Sequence, residues 1–507
     1  APCFVGYPYQ VSLQHSCHSS DEFEVSTLEW AVNDYVTQIE SGLLLPEMAS
    51  YLHKHKPLGD MEIICGIPGV RFIDALALDT SMGFPLNCSK SRYCVINDNP
   101  PNDSIFQREV YLDKQFYIER DKCKEELRKG LCINAIFNAC LKDEPTPVGK
   151  TKVRVFQAAP IVLQMLIREY YLPIASIFSH FPILTECAVG IKAVTPEWHE
   201  LHNHFSKFGE SRILAGDYKK YDLTMSSQLM LAGYKILIGV ARHCNYTADD
   251  ILVMSKLASE MVYPLMNYNG DLIKLYGSNP SGHNLTVYIN CVVNSLIFRC
   301  AYKECCYNSV MQPFNTVCSL VTYGDDAISS VSDKITGFNF TTVQAVLKEK
   351  GIIFTLPDKS DVTGVTFLNL DVCDFLKRVS YDHPALGFKI GKLNQTSIFK
   401  SLCCILASSI GNDNVCVNNI KTALFEFYFH GKETYEMRRA QLKIVAERHG
   451  YNIEELAISF EEKTRLYFIN HYSEIKNWVC KNPWYSNSYF DEATRIKDNY
   501  AGQDIGL

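Results

Sequence analysis

Residues 316–331, TVCSLVTYGDDAISSV, set the tightest limit on what this chain can fold into. Two apolar, β-branched runs flank Tyr323-Gly324-Asp325-Asp326. Gly324 can take the positive φ of a tight turn, so the runs are expected to pair as an antiparallel hairpin with Asp325 and Asp326 at its tip. Adjacent carboxylates at an apolar strand end repel each other unless a cation lies between them. Oxygen-only ligands of this kind suit Mg²⁺, which is usually held by one or two carboxylates plus substrate phosphates. An ordinary polar Gly-Asp turn would use the same four residues, so a metal site needs partners elsewhere in the chain.

Composition narrows the setting. At 507 residues the chain has room for two to four domains or one large fold with insertions, and 47% hydrophobic residues allow a substantial core. Residues 161–178 form the most membrane-like run, but Gln164, Arg168 and Glu169 interrupt it, which argues against a conventional span. The first fifteen residues lack the basic start of a signal peptide, and a chain beginning at Ala1 reads as a product cut from a precursor. Twenty cysteines are scattered through apolar runs without any C-x-x-C, as expected of buried thiols in a reduced, cytosolic enzyme. A net charge of −7 gives no global positive field, so any phosphate binding has to be local.

Several stretches are ambiguous one by one. Residues 80–85, Thr-Ser-Met-Gly-Phe-Pro, follow an apolar segment, and their small hydroxyls and glycine would let backbone approach phosphates or simply form a loop. In residues 141–160, Lys150, Lys152 and Arg154 alternate, so in an extended strand they share one side: a ridge suited to a triphosphate, or a solvated edge strand. His199, His202 and His204 lack a further ligand at zinc-like spacing and are expected on an exposed helix or turn. Residues 213–215 are a candidate buried strand, and Ser226 or Ser227 can cap a helix running to about His243. Asp217 and Asp222 then fall on a strand-to-helix connection. Residues 279–282, Asn-Pro-Ser-Gly, form a loop before an apolar helix on which Thr286, Asn290 and Asn294 repeat at i, i+4 and i+8. That polar stripe faces either water or sugar hydroxyls. Further on come a helix at 341–350, a strand at 352–355, a lysine loop at 356–360 and a strand-turn at 374–380, with helical pattern from about 390 onward.

The order of these pieces is far more specific than any one of them. A basic strand, Asp-x₄-Asp, a Ser-Gly loop with a polar helix, a Gly-Asp-Asp hairpin, a lysine loop and Phe-Leu-Lys-Arg follow one another over residues 80–378. This resembles the RNA-dependent RNA polymerases of picornaviruses and picorna-like viruses. The family's motif A matches residues 217–222, motif B Ser281-Gly282 with Thr286 and Asn290, and motif C residues 323–326. Motif D falls on Lys359, motif E on 375–378, motif F on 142–154 and motif G on 80–85. Residues 279–286, Asn-Pro-Ser-Gly-His-Asn-Leu-Thr, depart from the Pro-Ser-Gly-Cys-Ser-Gly-Thr usual in vertebrate picornaviruses and look closer to arthropod or marine picorna-like viruses.

The resemblance implies an α+β right-hand polymerase fold, with an antiparallel palm sheet backed by helices. Fingers would span 1–205, including an N-terminal extension, and 227–275. Palm would span 206–226 (motif A) and 276–380 (motifs B to E), and thumb 381–507. It implies two Mg²⁺ ions, with Mn²⁺ able to stand in, on Asp217, Asp325 and Asp326. It places Lys142, Lys150, Lys152 and Arg154 on the triphosphate, and Lys359 as the acid for pyrophosphate. Asp222, with Ser281, Thr286 and Asn290, would receive the ribose of the NTP. Thr80, Ser81 and Gly83 would guide template RNA, and Lys377 and Arg378 would hold the primer end. Expected partners are template and primer RNA, NTPs, a small genome-linked protein primer and other viral replication proteins. The expected location is the host cytoplasm, at membrane-associated replication complexes reached through partners. Reverse transcriptases share the Tyr-x-Asp-Asp hairpin but carry a bulky aromatic where Asp222 stands. A non-catalytic RNA-binding relative would lack a metal carboxylate, and all are present.

Overall fold

The computed structural model describes residues 7–144, 153–357, 364–405, 408 and 410–499. Lys150, Lys152 and Lys359 lie outside the described residues. The chain divides into two compact units, one of residues 1–190 and 211–368, the other of 191–210 and 369–507. This partition is coarser than fingers, palm and thumb, and it gathers the 378–393 hairpin with the C-terminal helices.

The first unit is organised around the helix Thr286–Cys305, buried continuously from Tyr288 to Tyr302. An apolar helix with so little polar surface can only be stable in a core. Helices Val25–Leu43, Ser227–Ala241 and Phe340–Glu349 pack on it, as does the strand Cys318–Tyr323. Ser226 caps Ser227–Ala241 by accepting from the Leu229 N–H, as the sequence predicts. The helix covers a four-stranded antiparallel sheet in the order Phe354–Thr355, Ile213–Tyr218, Asp326–Val331, Cys318–Tyr323. A second sheet joins Val155–Ala158, Ile136–Leu141, Leu265–Tyr268 and Asp271–Lys274, its middle pair parallel.

The helix Ile161–His180 is long and apolar enough to cross a membrane by length and composition. The three interrupting residues do not disqualify it on that test; its burial inside the fold does. Arg168 donates through Nε to Ile63 O, and Glu169 accepts from Lys124 Nζ at 2.7 Å.

In the second unit the hairpin Arg378–Asp382/Lys389–Leu393 packs against the helix Pro196–Phe205. That helix carries the three histidines, and it is not exposed as expected. Trp198, Leu201, His202 and Phe205 face inward, and His202 Nδ1 meets Ser380 Oγ at 3.0 Å. Burial, together with the nearby Lys389 and His199, pulls the His202 pKa down to about 4. An apolar stripe at helical spacing runs through the His-rich segment and decides its fate. Every described cysteine is a free thiol.

Candidate active site

The sheet delivers the carboxylates. Tyr323 pairs with Asp326, so the hairpin turns through Gly324 and Asp325 alone. Gly324 sits at φ +64°, a conformation that side chains resist, which is why a two-residue turn can form here. On the neighbouring strand Gly216 pairs with Ala327, so Asp217 comes one step beyond the last ladder pair, beside the start of the hairpin's second strand. Asp217 also pairs with Thr355 on its other side. Asp217 and Asp326 on neighbouring strands, and Asp325 in the turn between strands, therefore fall at one end of the sheet. Burial, with Asp325 close by, raises the phenols of both Tyr218 and Tyr221.

The turn is held from below by the central helix. Asn294 Nδ2 donates to Gly324 O at 3.0 Å and to Asp325 O at 3.2 Å, while its Oδ1 accepts from Tyr218 OH at 3.0 Å. The Gly324 N–H donates to Cys291 Sγ at 3.1 Å. Asn294 was legible as part of a polar stripe, but it meets the hairpin turn rather than water or sugar. The turn's outer strand is braced as well: Thr322 Oγ1 donates to Glu186 O at 2.7 Å, and Glu186 grips the fully buried Arg299 with both oxygens, at 2.7 and 2.9 Å.

Asp222 opens the short helix Tyr221–Thr224, after Lys220 at φ +60°. It accepts from Asn290 Nδ2 at 2.5 Å. Burial pushes its pKa up to about 6; the Asn290 bond and Arg154 oppose the shift and Asp325 adds to it. Asp222 is thus within electrostatic reach of both the hairpin and the basic segment. Arg154 lies just before the strand Val155–Ala158, exposed, with its guanidinium 3.6 Å from Glu144; Lys142 Nζ lies 3.8 Å from the same carboxylate.

Other expected site residues stand differently. Ser281 presents both Oγ and N–H to Gln157 Oε1, at 3.1 and 3.2 Å. Thr286 Oγ1 donates to the loop carbonyls of Pro280 and His283. Both hydroxyls shape the loop instead of meeting Asp222. Gly282 closes against the strand Val155–Ala158 so tightly that a Cβ there would lie 2.1 Å from Gln157 O. Thr80, Ser81 and Gly83 form one loop over the buried Lys90, whose Nζ donates to Thr80 Oγ1 at 2.5 Å and Ser81 O at 2.8 Å. Burial lowers the Lys90 pKa to about 8, with Asp79 pulling it back up. In the second unit Leu376 and Lys377 both have positive φ, making a tight turn that exposes Lys377, whereas Arg378 gives its guanidinium to Glu426 at 2.7 and 3.1 Å and to Gly391 O. Gln157, Lys90, Cys291 and Glu426 carried no motif that sequence reasoning could use.

A closed metal cage is not preformed: no three His, Cys, Asp or Glu side chains converge as a ready cluster among the described residues. Three carboxylates at an open sheet end fit Mg²⁺ nonetheless, since that ion keeps waters and takes substrate phosphates as ligands.

Comparison with known proteins agrees with this layout. The family model described as viral RNA-dependent RNA polymerase matches residues 48–443. The chain belongs to that family. The polymerase is 29% identical over 421 residues to the genome polyprotein of Deformed wing virus, covering 78% of this chain and 14% of that protein. It is 29% identical over 405 residues to the replicase polyprotein of Drosophila C virus, covering 75% of this chain and 22% of that protein. The chain thus spans less than a quarter of the length of these relatives. A solved Sicinivirus 3Dpol RNA-dependent RNA polymerase matches with TM-score 0.67 at 17% identity, over 85% of this chain and 83% of that one, which shows the right-hand polymerase fold.

Proposed function

We propose that this chain is the catalytic part of a viral replicase that extends an RNA primer on an RNA template. The observation that carries this is the placement of Asp217, Asp325 and Asp326 at one sheet end, with the Asn290–Asp222 pair in electrostatic reach. The primer 3′-hydroxyl gives up its proton to solvent as its oxygen bonds to the α-phosphorus of the NTP, and the bond from that phosphorus to pyrophosphate breaks. Asp217 and Asp325, assisted by Asp326, would hold two Mg²⁺ ions, which when bound supply Lewis-acid stabilisation of the attacking and leaving oxygens. Arg154 and Lys142, with Lys150 and Lys152, offset the triphosphate charge. Asp222 accepts the ribose 2′-hydroxyl, the group that marks an RNA precursor. Lys359 gives its proton to the departing pyrophosphate. The 80–85 loop guides template phosphates, and Lys377 steadies the primer.

Primer extension on a heteropolymeric RNA template, with and without Mg²⁺, tests the reading. Wild type adds nucleotides only with the metal. Asp325→Asn abolishes addition while leaving RNA affinity and melting temperature near wild type, because losing one carboxylate relieves repulsion in the apo protein. Comparable addition by that variant would remove the metal assignment. A protein-linked primer and assembly with other replication proteins fit a chain that matches part of viral polyproteins.

A further inference from the structure

The loop bearing Ser281 and Gly282 runs into His283, where the chain leaves the usual vertebrate pattern. The His283 ring is buried. The Leu285 N–H donates to its Nδ1 at 3.2 Å, so Nδ1 is an acceptor and the ring proton belongs to Nε2. Nε2 lies 3.4 Å from Asn279 Oδ1. The Thr286 carbonyl supports the same orientation of the Asn279 amide, accepting from its Nδ2 at 3.2 Å. The same Nδ2 donates to Asn290 Oδ1 at 2.8 Å, and Asn290 Nδ2 donates to Asp222 Oδ1 at 2.5 Å. His283, Asn279, Asn290 and Asp222 therefore form one relay in which every donor points the same way. Asn279 and Asn290 are themselves buried. A flipped Asn290 would set its carbonyl oxygen against the Asp222 carboxylate, acceptor to acceptor, and the relay prevents the flip. Burial pulls the His283 pKa down to about 3, so the ring stays neutral and the polarity holds at any working pH.

We infer that His283 is a positioning residue for sugar selection: through Asn279 and Asn290 it occupies one oxygen of Asp222 and leaves the other for the ribose 2′-hydroxyl. This rests on the proposed role of Asp222. A site built to hydrogen-bond a hydroxyl rejects the analogue lacking it because its own polar groups are left unpaired. That penalty depends on Asp222 being held in one place.

The test is kcat/KM for CTP and for dCTP opposite one template guanine, in the full chain with Mg²⁺. His283→Leu removes the donor and the Nδ1 acceptor. His283→Asn can still accept from the Leu285 N–H but is too short to reach Asn279, so it separates the relay from the loop's local shape and carries the test if the leucine variant melts early. His283→Gln can place an amide donor where Nε2 stands. The CTP/dCTP ratio is expected to fall about tenfold in the leucine and asparagine variants, the size of one lost hydrogen bond, through slower CTP addition. The glutamine variant is expected to keep the ratio within about twofold of wild type. Equal losses on both sugars, an unchanged ratio in His283→Asn, or a fall in His283→Gln as large as in the leucine variant would overturn the relay. Asp222→Asn in the same assay separates the two ideas. An unchanged ratio there removes the sugar role of Asp222 and the relay with it. A changed ratio there beside an unchanged one in the His283 variants overturns the relay alone.

Discussion

Asn294 Nδ2 lies 3.0 Å from the carbonyl oxygen of Gly324 and 3.2 Å from that of Asp325, so one buried amide fixes the turn that leads into the Asp325-Asp326 pair. Its Oδ1 takes the Tyr218 hydroxyl, which belongs to the strand bearing Asp217. A single side chain on the central helix thereby sets the relative placement of the two carboxylate-bearing segments.

Asn294→Ala takes the amide partner from the buried Gly324 carbonyl, the partly buried Asp325 carbonyl and the Tyr218 phenol, which costs about 2–4 kcal/mol of stability. Its more specific effect is on metal use. With the turn free to shift, the Mg²⁺ concentration giving half-maximal addition is expected to rise several-fold and kcat to fall at least about tenfold. Tyr218→Phe, which removes only one bond of the set, should show a smaller shift in the same direction. A Mg²⁺ titration of single-nucleotide addition checks both. An unchanged midpoint in Asn294→Ala would leave Asn294 a packing residue only.

The raised pKa of Asp222 has a thermodynamic consequence of definite sign. Its folded value, about 6, lies above the ordinary 3.8, so the folded state binds the proton more tightly than the unfolded chain. Stability from this group is present below about pH 4 and is lost as pH rises through 6. At neutral pH the buried charge therefore costs up to about 3 kcal/mol. Asp222→Asn should melt higher than wild type at pH 7.5 in metal-free buffer, with the gap narrowing towards pH 5, while its preference for ribonucleotides falls. Melting curves across that range decide it. A gap independent of pH would mean that the carboxylate is not strained by burial.

Arg154 is expected to act on the nucleotide more than on RNA retention. Its charge already lowers the pKa of Asp222, which places it near the expected ribose, and its side chain is 61% exposed and shares Glu144 with Lys142. Arg154→Ala should raise the KM for NTP, lower kcat, and cost roughly a hundredfold in kcat/KM, the usual loss when a donor to developing charge is removed. It should also move the acid limb of the rate profile upward, since the cation no longer opposes protonation of Asp222. If only the salt dependence of RNA binding changed, the segment would be a template track.

Much of this layout was legible in the sequence because it is local. Apolar, β-branched runs on either side of a glycine specify the 318–331 hairpin, and Ser226 announces its helix. What could not be read lies in contacts between distant segments. Asn294 reaches a turn thirty residues on, and its partners in that turn are backbone oxygens, which leave no mark on sequence. The three histidines were expected to be solvated because no further ligand follows at zinc-like spacing, yet the hairpin at 378–393 covers the face carrying Trp198 and His202. Ser281 and Thr286 match the family pattern but turn to Gln157 and to the loop itself.

Lys377 and Arg378 show the same limit and offer a clean test of it. Both are basic, adjacent, and expected to hold the primer, but the fold separates their tasks. Arg378 makes a forked pair with Glu426, whose side chain is 11% exposed against 18% for the arginine. Removing a partner from such a pair strands a mostly buried charge, so Arg378→Ala is expected to destabilise the protein by about 3 kcal/mol. Lys377 is 60% exposed and lies only 3.6 Å from Asp374, a solvated pair worth little. Lys377→Ala should leave the melting temperature within error of wild type and weaken primer–template binding with no change in base preference. Its plot of log affinity against log salt should lose about one unit of slope, the signature of one phosphate contact. Arg378→Ala, measured well below its melting temperature, should keep the wild-type slope. The reverse assignment, with the slope lost in Arg378→Ala and kept in Lys377→Ala, would mean that Arg378 leaves Glu426 when RNA is bound.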